Sequence, residues 1–292
     1  MLQFILRLAA RLPLRWLHAA GAFAGRATRR LSPRFAQKLS ENLRQSGLAP
    51  SDPAGRMRME RRVAAEIGKG VFELIAIWFR PAAAARRLMV ESRNWEIVDA
   101  QRAKGRGILF VTPHMGCFEV SGLFAAMQMP FTVLYRPPKL QWLAPLMEAG
   151  RTGAGGRIAP TSLAGVRRLL KALKAGEAVG VLPDHVPGFG EGVWAPFFGK
   201  PAYTMTLVGR LQKATDCAVI IAYSRRLPRG RGYVLEVELL DEDLSGPDGP
   251  ERLNRAVEGL IRHCPEQYLW SYNRYKVPKG VAPPGQEPPA VE

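Results

Sequence analysis

Between residues 107 and 240 short, wholly apolar runs alternate with stretches of helical periodicity, and this constrains the fold more than any other feature. Residues 107–112 (GILFVT) are too short for a buried helix and are stopped by Pro113, so they predict a strand covered on both faces. Residues 131–135, 178–182 and 218–224 read the same way, and 233–240 alternates after a turn at Pro228, Gly230 and Gly232. Helices are predicted at about 117–127, 140–149, 204–215 and 250–263. Ser162 can cap another, whose apolar stripe is Leu163, Val166, Leu169, Leu170 and Leu173. Strands alternating with helices build an α/β fold, a mostly parallel mixed sheet flanked by helices.

Upstream, residues 52 to about 89 are helical in pattern, with Val63, Ile67, Val71, Leu74, Ile75 and Trp78 at three- and four-residue steps that stop before Pro81. The first 27 residues are apolar but interrupted by Arg7, Arg11, Pro13 and Arg15. That is too broken for a membrane span, which needs about 20 apolar residues in a row, and too basic at its centre for a cleavable signal. Phe4, Ile5, Leu8 and Leu12 share one helical face and Arg7, Arg11 and Arg15 another, the pattern of a helix lying in an anionic membrane interface. The plainer alternative is a helix packed on the protein with a solvated basic face. Three regions are therefore expected: a membrane-associating segment at 1–40, a folded domain at 41–276, and a disordered Pro-rich tail at 277–292.

The chain carries 42 Lys and Arg against 25 Asp and Glu, a net charge of +17. Such a surface is drawn to polyanions, whether nucleic acid, membrane, phosphorylated substrate or acidic protein. Zinc-finger spacing, a basic zipper and an RNP-type aromatic motif are all missing from the sequence, which argues against nucleic acid. Cys117, Cys217 and Cys264 are odd in number and far apart, so they predict neither disulfides nor a metal cluster but small buried residues. Neither metal nor cofactor is expected.

In open α/β sheets ligands gather beyond the carboxyl ends of the strands. The residues just past the predicted strand ends are His114, Gly116 and Glu119, then Arg136 and Lys139, then Asp184 and His185. His114 can serve as a general base. Glu119, at the start of the next helix, could reach an imidazole nitrogen and fix its tautomer, as an acid does beside a base in acyl transfer. Gly116 leaves room for substrate, and the amides opening that helix could meet an oxyanion. The bland alternative is a hydrogen-bonded histidine followed by a capping glutamate. The glycine-rich run 188–192 opens no helix and makes a poor nucleotide loop. Trp194, Phe197 and Phe198 after it are either core or the wall of an acyl channel.

His-x-x-x-x-Glu after a strand resembles the H-x-x-x-x-D/E motif of glycerolipid-type acyltransferases. The wider pattern resembles the late acyltransferases of bacterial lipid A biosynthesis, the lauroyl and myristoyl transferases. It runs through 12–18 (LPLRWLH), 41–43 (ENL), the His114 block, 135–139 (YRPPK), 170–184, 194–202 (WAPFFGKPA) and 268–276 (YLWSYNRYK). The resemblance implies a glycerol-3-phosphate acyltransferase-like fold on the cytoplasmic face of a bacterial inner membrane. It implies transfer of an acyl chain from acyl carrier protein to a hydroxyl of a phosphorylated lipid A precursor. His114 would be the base, supported by Glu119, with no acyl-enzyme intermediate. Arg136, Lys139 and Arg167 would meet acceptor phosphates, although Arg167, Arg168, Lys171 and Lys174 also fit a simple solvated face. The family often shows Asp-Gln-Asp where this chain has Asp184, His185 and Val186, so only the first acid is retained, and Asp184 can hold the following loop. A lysophospholipid or ornithine lipid acceptor would call for the same residues. A non-catalytic lipid-binding module is the alternative of another class.

Overall fold

The computed structural model describes residues 2–138 and 141–286. Among them, seven strands form one sheet in the order β1-β9-β8-β2-β5-β3-β4. The strands are β1 (Met89–Arg93), β2 (Ile108–Val111), β3 (Phe131–Tyr135), β4 (Arg157–Pro160), β5 (Ala178–Val181), β8 (Ala218–Arg226) and β9 (Tyr233–Leu239). Every neighbouring pair is parallel except β8 with β9, as expected of a mostly parallel mixed sheet. β6 (Gly192–Phe197) and β7 (Lys200–Met205) form a separate antiparallel ribbon.

The helices are α1 (Leu2–Ala9), α2 (Leu14–Leu31), α3 (Pro33–Gln45), α4 (Pro53–Phe79), α5 (Ala82–Arg86), α6 (Trp95–Ala103), α7 (Phe118–Gln128), α8 (Ala144–Thr152), α9 (Leu163–Lys174), α10 (Leu207–Thr215) and α11 (Gly249–His263). Alternation along β2 shows how they cover both faces. Ile108 and Phe110 share a core with Leu17 of α2 and Val120 of α7, while Leu109 and Val111 share the other with Leu169 of α9 and Leu260 of α11.

Sequence periodicity misplaces several boundaries. The long helix ends at Phe79, and the chain reaches β1 by residue 89, where Met89 pairs with Tyr233. β1 and β4 are short edge strands with mostly exposed residues, and β4 closes on a proline that an edge tolerates. Neither carries the apolar run that marks its central neighbours. The helix expected from 204 begins only at Leu207, because Thr204 and Met205 belong to β7.

Phe198 and Gly199 make the two-residue turn of the β6–β7 ribbon, both with positive φ (47° and 73°). That backbone is unusual for a bulky residue. It is held by Glu258, whose Oε1 accepts from Phe198 N at 2.6 Å, and by burial of the ring against Phe197 and Trp270. Phe197 and Phe198 are therefore core.

The N-terminal 40 residues do not form a segment apart. Gly21 and Gly25 of α2 meet Gly68 of α4 so closely that a Cβ on any of them would strike the opposite backbone. Leu39 and Leu43 of α3 are fully buried, and Asn42 Nδ2 donates to the carbonyls of Trp270 and Tyr272, both at 2.7 Å. The peripheral part is α1, the turn after it and the outer face of the first turn of α2, with Phe4 72%, Ile5 52%, Leu8 57%, Leu12 48% and Trp16 60% exposed. Among the described residues no helix is long and apolar enough to cross a membrane. In the proline-rich stretch, Ala282 accepts from Trp194 Nε1 at 3.0 Å, and 287–292 lie outside the described residues.

Candidate active site

β2 and β5 are adjacent and in register, Val111 opposite Val181, and Thr112 N donates to Val181 O at 3.1 Å. His114 and Asp184 each lie three residues beyond that pair, so the register itself brings them together. Asp184 accepts from His114 twice: Oδ2 from the backbone N at 2.9 Å and Oδ1 from Nδ1 at 2.8 Å. The carboxylate side chain is 2% exposed and the imidazole 15%, so the ring is reachable from solvent and its partner is not. Burial works against the ionised carboxylate, yet the His114 charge and hydrogen bonds prevail and hold Asp184 well below the usual carboxylate range. Nδ1 is engaged by Asp184, and among the described residues Nε2 has no protein hydrogen-bond partner.

Glu119 does not fix this imidazole. Its carboxylate, at the start of α7, takes both Arg151 Nε (3.2 Å to each oxygen) and Arg151 Nη2, and accepts from Trp78 Nε1 at 3.2 Å. Burial would lower the Arg151 guanidinium, but Glu119 holds it above its ordinary value. The pair thus ties the start of α7 to α4 and α8. The carboxylate bonded to the His114 imidazole is that of Asp184, not Glu119; it lies seventy residues along the chain and is adjacent only through strand pairing.

Gly116 has φ +57°, and a Cβ there would collide with Ser224 O. The missing side chain makes way for the Ser224 backbone, not for the open substrate space that the sequence suggested. Gly116 N donates to Gln267 O at 3.0 Å and Cys117 N to Ser224 O at 2.9 Å, so these two amides are not free for an oxyanion. The amides of Phe118 and Glu119 have no backbone acceptor among the described residues. Arg226 Nη2 donates to Gly116 O at 3.0 Å, and its guanidinium is gripped by Glu73 and Glu66. Glu73 also takes the Tyr233 hydroxyl (2.8 Å) and His18 of α2 (3.1 Å). A buried ionic network therefore runs from the N-terminal helices to the loop that carries His114.

The remaining expected residues divide. Arg136 is exposed just beyond β3 and Arg167 is exposed on α9; both lie toward the edge where the parallel strands end. Lys139 lies outside the described residues. The three cysteines are free and buried, and the described residues hold no cluster fit for a metal. An apolar cavity opens beside Glu119 and Arg151, lined by Ile77, Trp78, Phe118, Phe131 and Leu182. Trp194, Phe197 and Phe198 do not line this cavity. Sequence reading missed Arg151, Trp78 and Tyr272: Arg151 sits in a glycine-rich stretch without periodicity, and Trp78 reads simply as part of an apolar stripe.

The profile of the bacterial lipid A biosynthesis acyltransferases matches residues 1–277. The chain belongs to this family. It is an acyltransferase of lipid A biosynthesis, and its relatives cover the fold just described. The lipid A biosynthesis lauroyltransferase of Escherichia coli K12 is 30% identical over 287 residues, 95% of this chain and 91% of that protein. The palmitoleoyltransferase of the same organism is 25% identical over 72% of this chain and 69% of its own length. Its myristoyltransferase is 22% identical over 65% and 60%. Three acyl groups appear in three names, so membership of the family does not fix chain length.

Proposed function

We propose that this protein moves a fatty acyl chain from acyl carrier protein to a hydroxyl of a phosphorylated lipid A precursor at the cytoplasmic face of the inner membrane. His114 Nε2 takes the proton of the attacking hydroxyl. The hydroxyl oxygen then attacks the thioester carbonyl, the tetrahedral intermediate breaks its C–S bond, and the carrier thiolate leaves with the proton returned by the His114 imidazolium, with no acyl-enzyme intermediate. Asp184, ionised and bonded to Nδ1, keeps the tautomer and stabilises the imidazolium that forms. The amides of Phe118 and Glu119 at the start of α7 serve the oxyanion. Glu119 supports catalysis indirectly, by anchoring α7 through Arg151.

Arg136, Lys139 and Arg167 meet the acceptor phosphates, and the apolar cavity beside α7 takes the acyl chain. The exposed face of α1 and Trp16, with Arg7, Arg11 and Arg15 nearby, rests on the anionic leaflet. Net charge of +17 suits acidic carrier, phosphorylated acceptor and membrane alike. The observation that carries this reading is the doubly bonded His114–Asp184 pair at the strand ends of a family member.

The test is acyl transfer by purified protein, with acyl carrier protein and coenzyme A thioesters offered in parallel to a phosphorylated lipid A precursor. Product with the carrier thioester and none from His114→Ala is expected. Full turnover by folded His114→Ala would overturn the base, and transfer from coenzyme A alone would overturn the donor.

A further inference from the structure

His114 is covered on one face by another ring. His185 lies over it with centroids 3.7 Å and planes 10° apart, and Tyr272 stacks on His185 at 4.1 Å and 23°. The Tyr272 hydroxyl accepts from Val186 N at 3.0 Å, which ties that ring to the segment holding Asp184 and His185. Among the described residues the buried Nε2 of His185 has no hydrogen-bond partner. A histidine kept for its hydrogen bonds would show one there; this side chain offers its surroundings its two faces.

Two imidazoles this close cannot both be charged, and the Asp184 bond to Nδ1 assigns the charge to His114. The charged groups facing His185 are His114 and Asp184 on the strand ends and Lys276 and Arg274 from the C-terminal segment. Burial, His114 and the two cations outweigh Asp184 and push the His185 imidazole down to about 4. It therefore stays neutral wherever a general base at His114 would work.

We propose that His185, backed by Tyr272, is a positioning residue, a neutral aromatic shelf that fixes the plane of His114 and stabilises its protonated form through the ring face. The inference rests on His114 acting as the base: when the acceptor proton reaches Nε2, the shelf lies against the imidazolium at that moment. Phe118, at 5.0 Å and 66°, presents an edge and cannot substitute for it.

The test reads the resting protein, with no acyl donor present. The His114 imidazole is titrated by NMR in full-length wild type, His185→Ala and His185→Phe, with the resonance assigned by its loss in His114→Ala. His185→Ala is expected to lower the His114 midpoint by roughly 0.5–1 pH unit, while His185→Phe, which keeps a ring face and cannot titrate, holds the wild-type value. In turnover the acid limb of kcat moves with the midpoint. His185→Gln carries the same expectation as alanine if the alanine chain does not fold. An unchanged or raised midpoint in the alanine or glutamine variant, or a phenylalanine variant that matches them, overturns the shelf. Failure of the base assignment shows separately, as turnover that survives His114→Ala.

Discussion

Asp184 holds His114 at two points, the backbone amide at 2.9 Å and Nδ1 at 2.8 Å, so one buried carboxylate fixes both where the loop stands and how its ring is turned. Replacing that acid tests orientation without removing the base. Asp184→Asn keeps the shape but can stabilise the wrong tautomer and cannot balance the imidazolium. The expected loss in kcat is roughly 10³-fold or more, with KM for the donor little changed. Steady-state assays with carrier-bound acyl donor check it, and a loss under tenfold would remove Asp184 from the orienting role.

Glu119 and Arg151 predict a different signature. Each is largely buried and paired with the other, so removing one strands a charge in the interior. Glu119→Ala and Arg151→Ala should each lower unfolding stability by about 3 kcal/mol, with strong coupling between them in a double-mutant cycle by urea melts. Arg136→Ala, at an exposed position just beyond β3, should leave stability within about 1 kcal/mol. Equal stability losses at all three positions would contradict this division.

The pH dependence of stability carries its own sign. The His185 imidazole is pushed down to about 4 in the folded protein, so as pH falls below about 6.5 the unfolded chain takes up that proton first. Stability from the neutral ring is present above that pH and declines toward pH 4, by about 3 kcal/mol at most. Asp184, also depressed, adds loss at lower pH. Chemical melts from pH 7.5 to 4.5 should show a steeper fall in wild type than in His185→Phe, and superimposable curves would reject the buried neutral ring.

Membrane attachment by α1 is best tested without deep truncation. Removing 27 residues would take Leu14, Leu17, Gly21 and Gly25 from the contact with α4 and the rest of the body. Changing Phe4, Ile5 and Leu8 to serine leaves that packing intact. The triple variant should shift from sedimenting with anionic vesicles to the supernatant, at an unchanged melting temperature. Continued sedimentation would place the membrane contact elsewhere.

Much of this architecture is readable from the chain because its strands are buried on both faces. GILFVT at 107–112 and the run at 178–182 announce themselves, and the rule that ligands gather beyond the strand ends then places His114 and Asp184 among the candidates, with Glu119, Arg136, Lys139 and His185. The partnership between His114 and Asp184 is invisible at short range, because it depends on β2 and β5 being neighbours although β3 and β4 separate them in sequence. Glu119, five residues from His114, is the nearer acid by sequence but belongs to Arg151. Edge strands β1 and β4 escape for want of an apolar run. No strand is predicted within 194–202, and the antiparallel pairing of β6 with β7 through the Phe198–Gly199 turn emerges only in the structure.

His114-dependent acylation of lipid A is measured most directly by mass spectrometry of lipid A from cells lacking this protein, alongside cells restored with the intact chain or with His114→Ala. The expected lipid A is short of one acyl chain, repaired by the intact chain and left short by a folded His114→Ala protein. Lipid A that is unchanged by the loss, or fully repaired by His114→Ala, would contradict this mechanism.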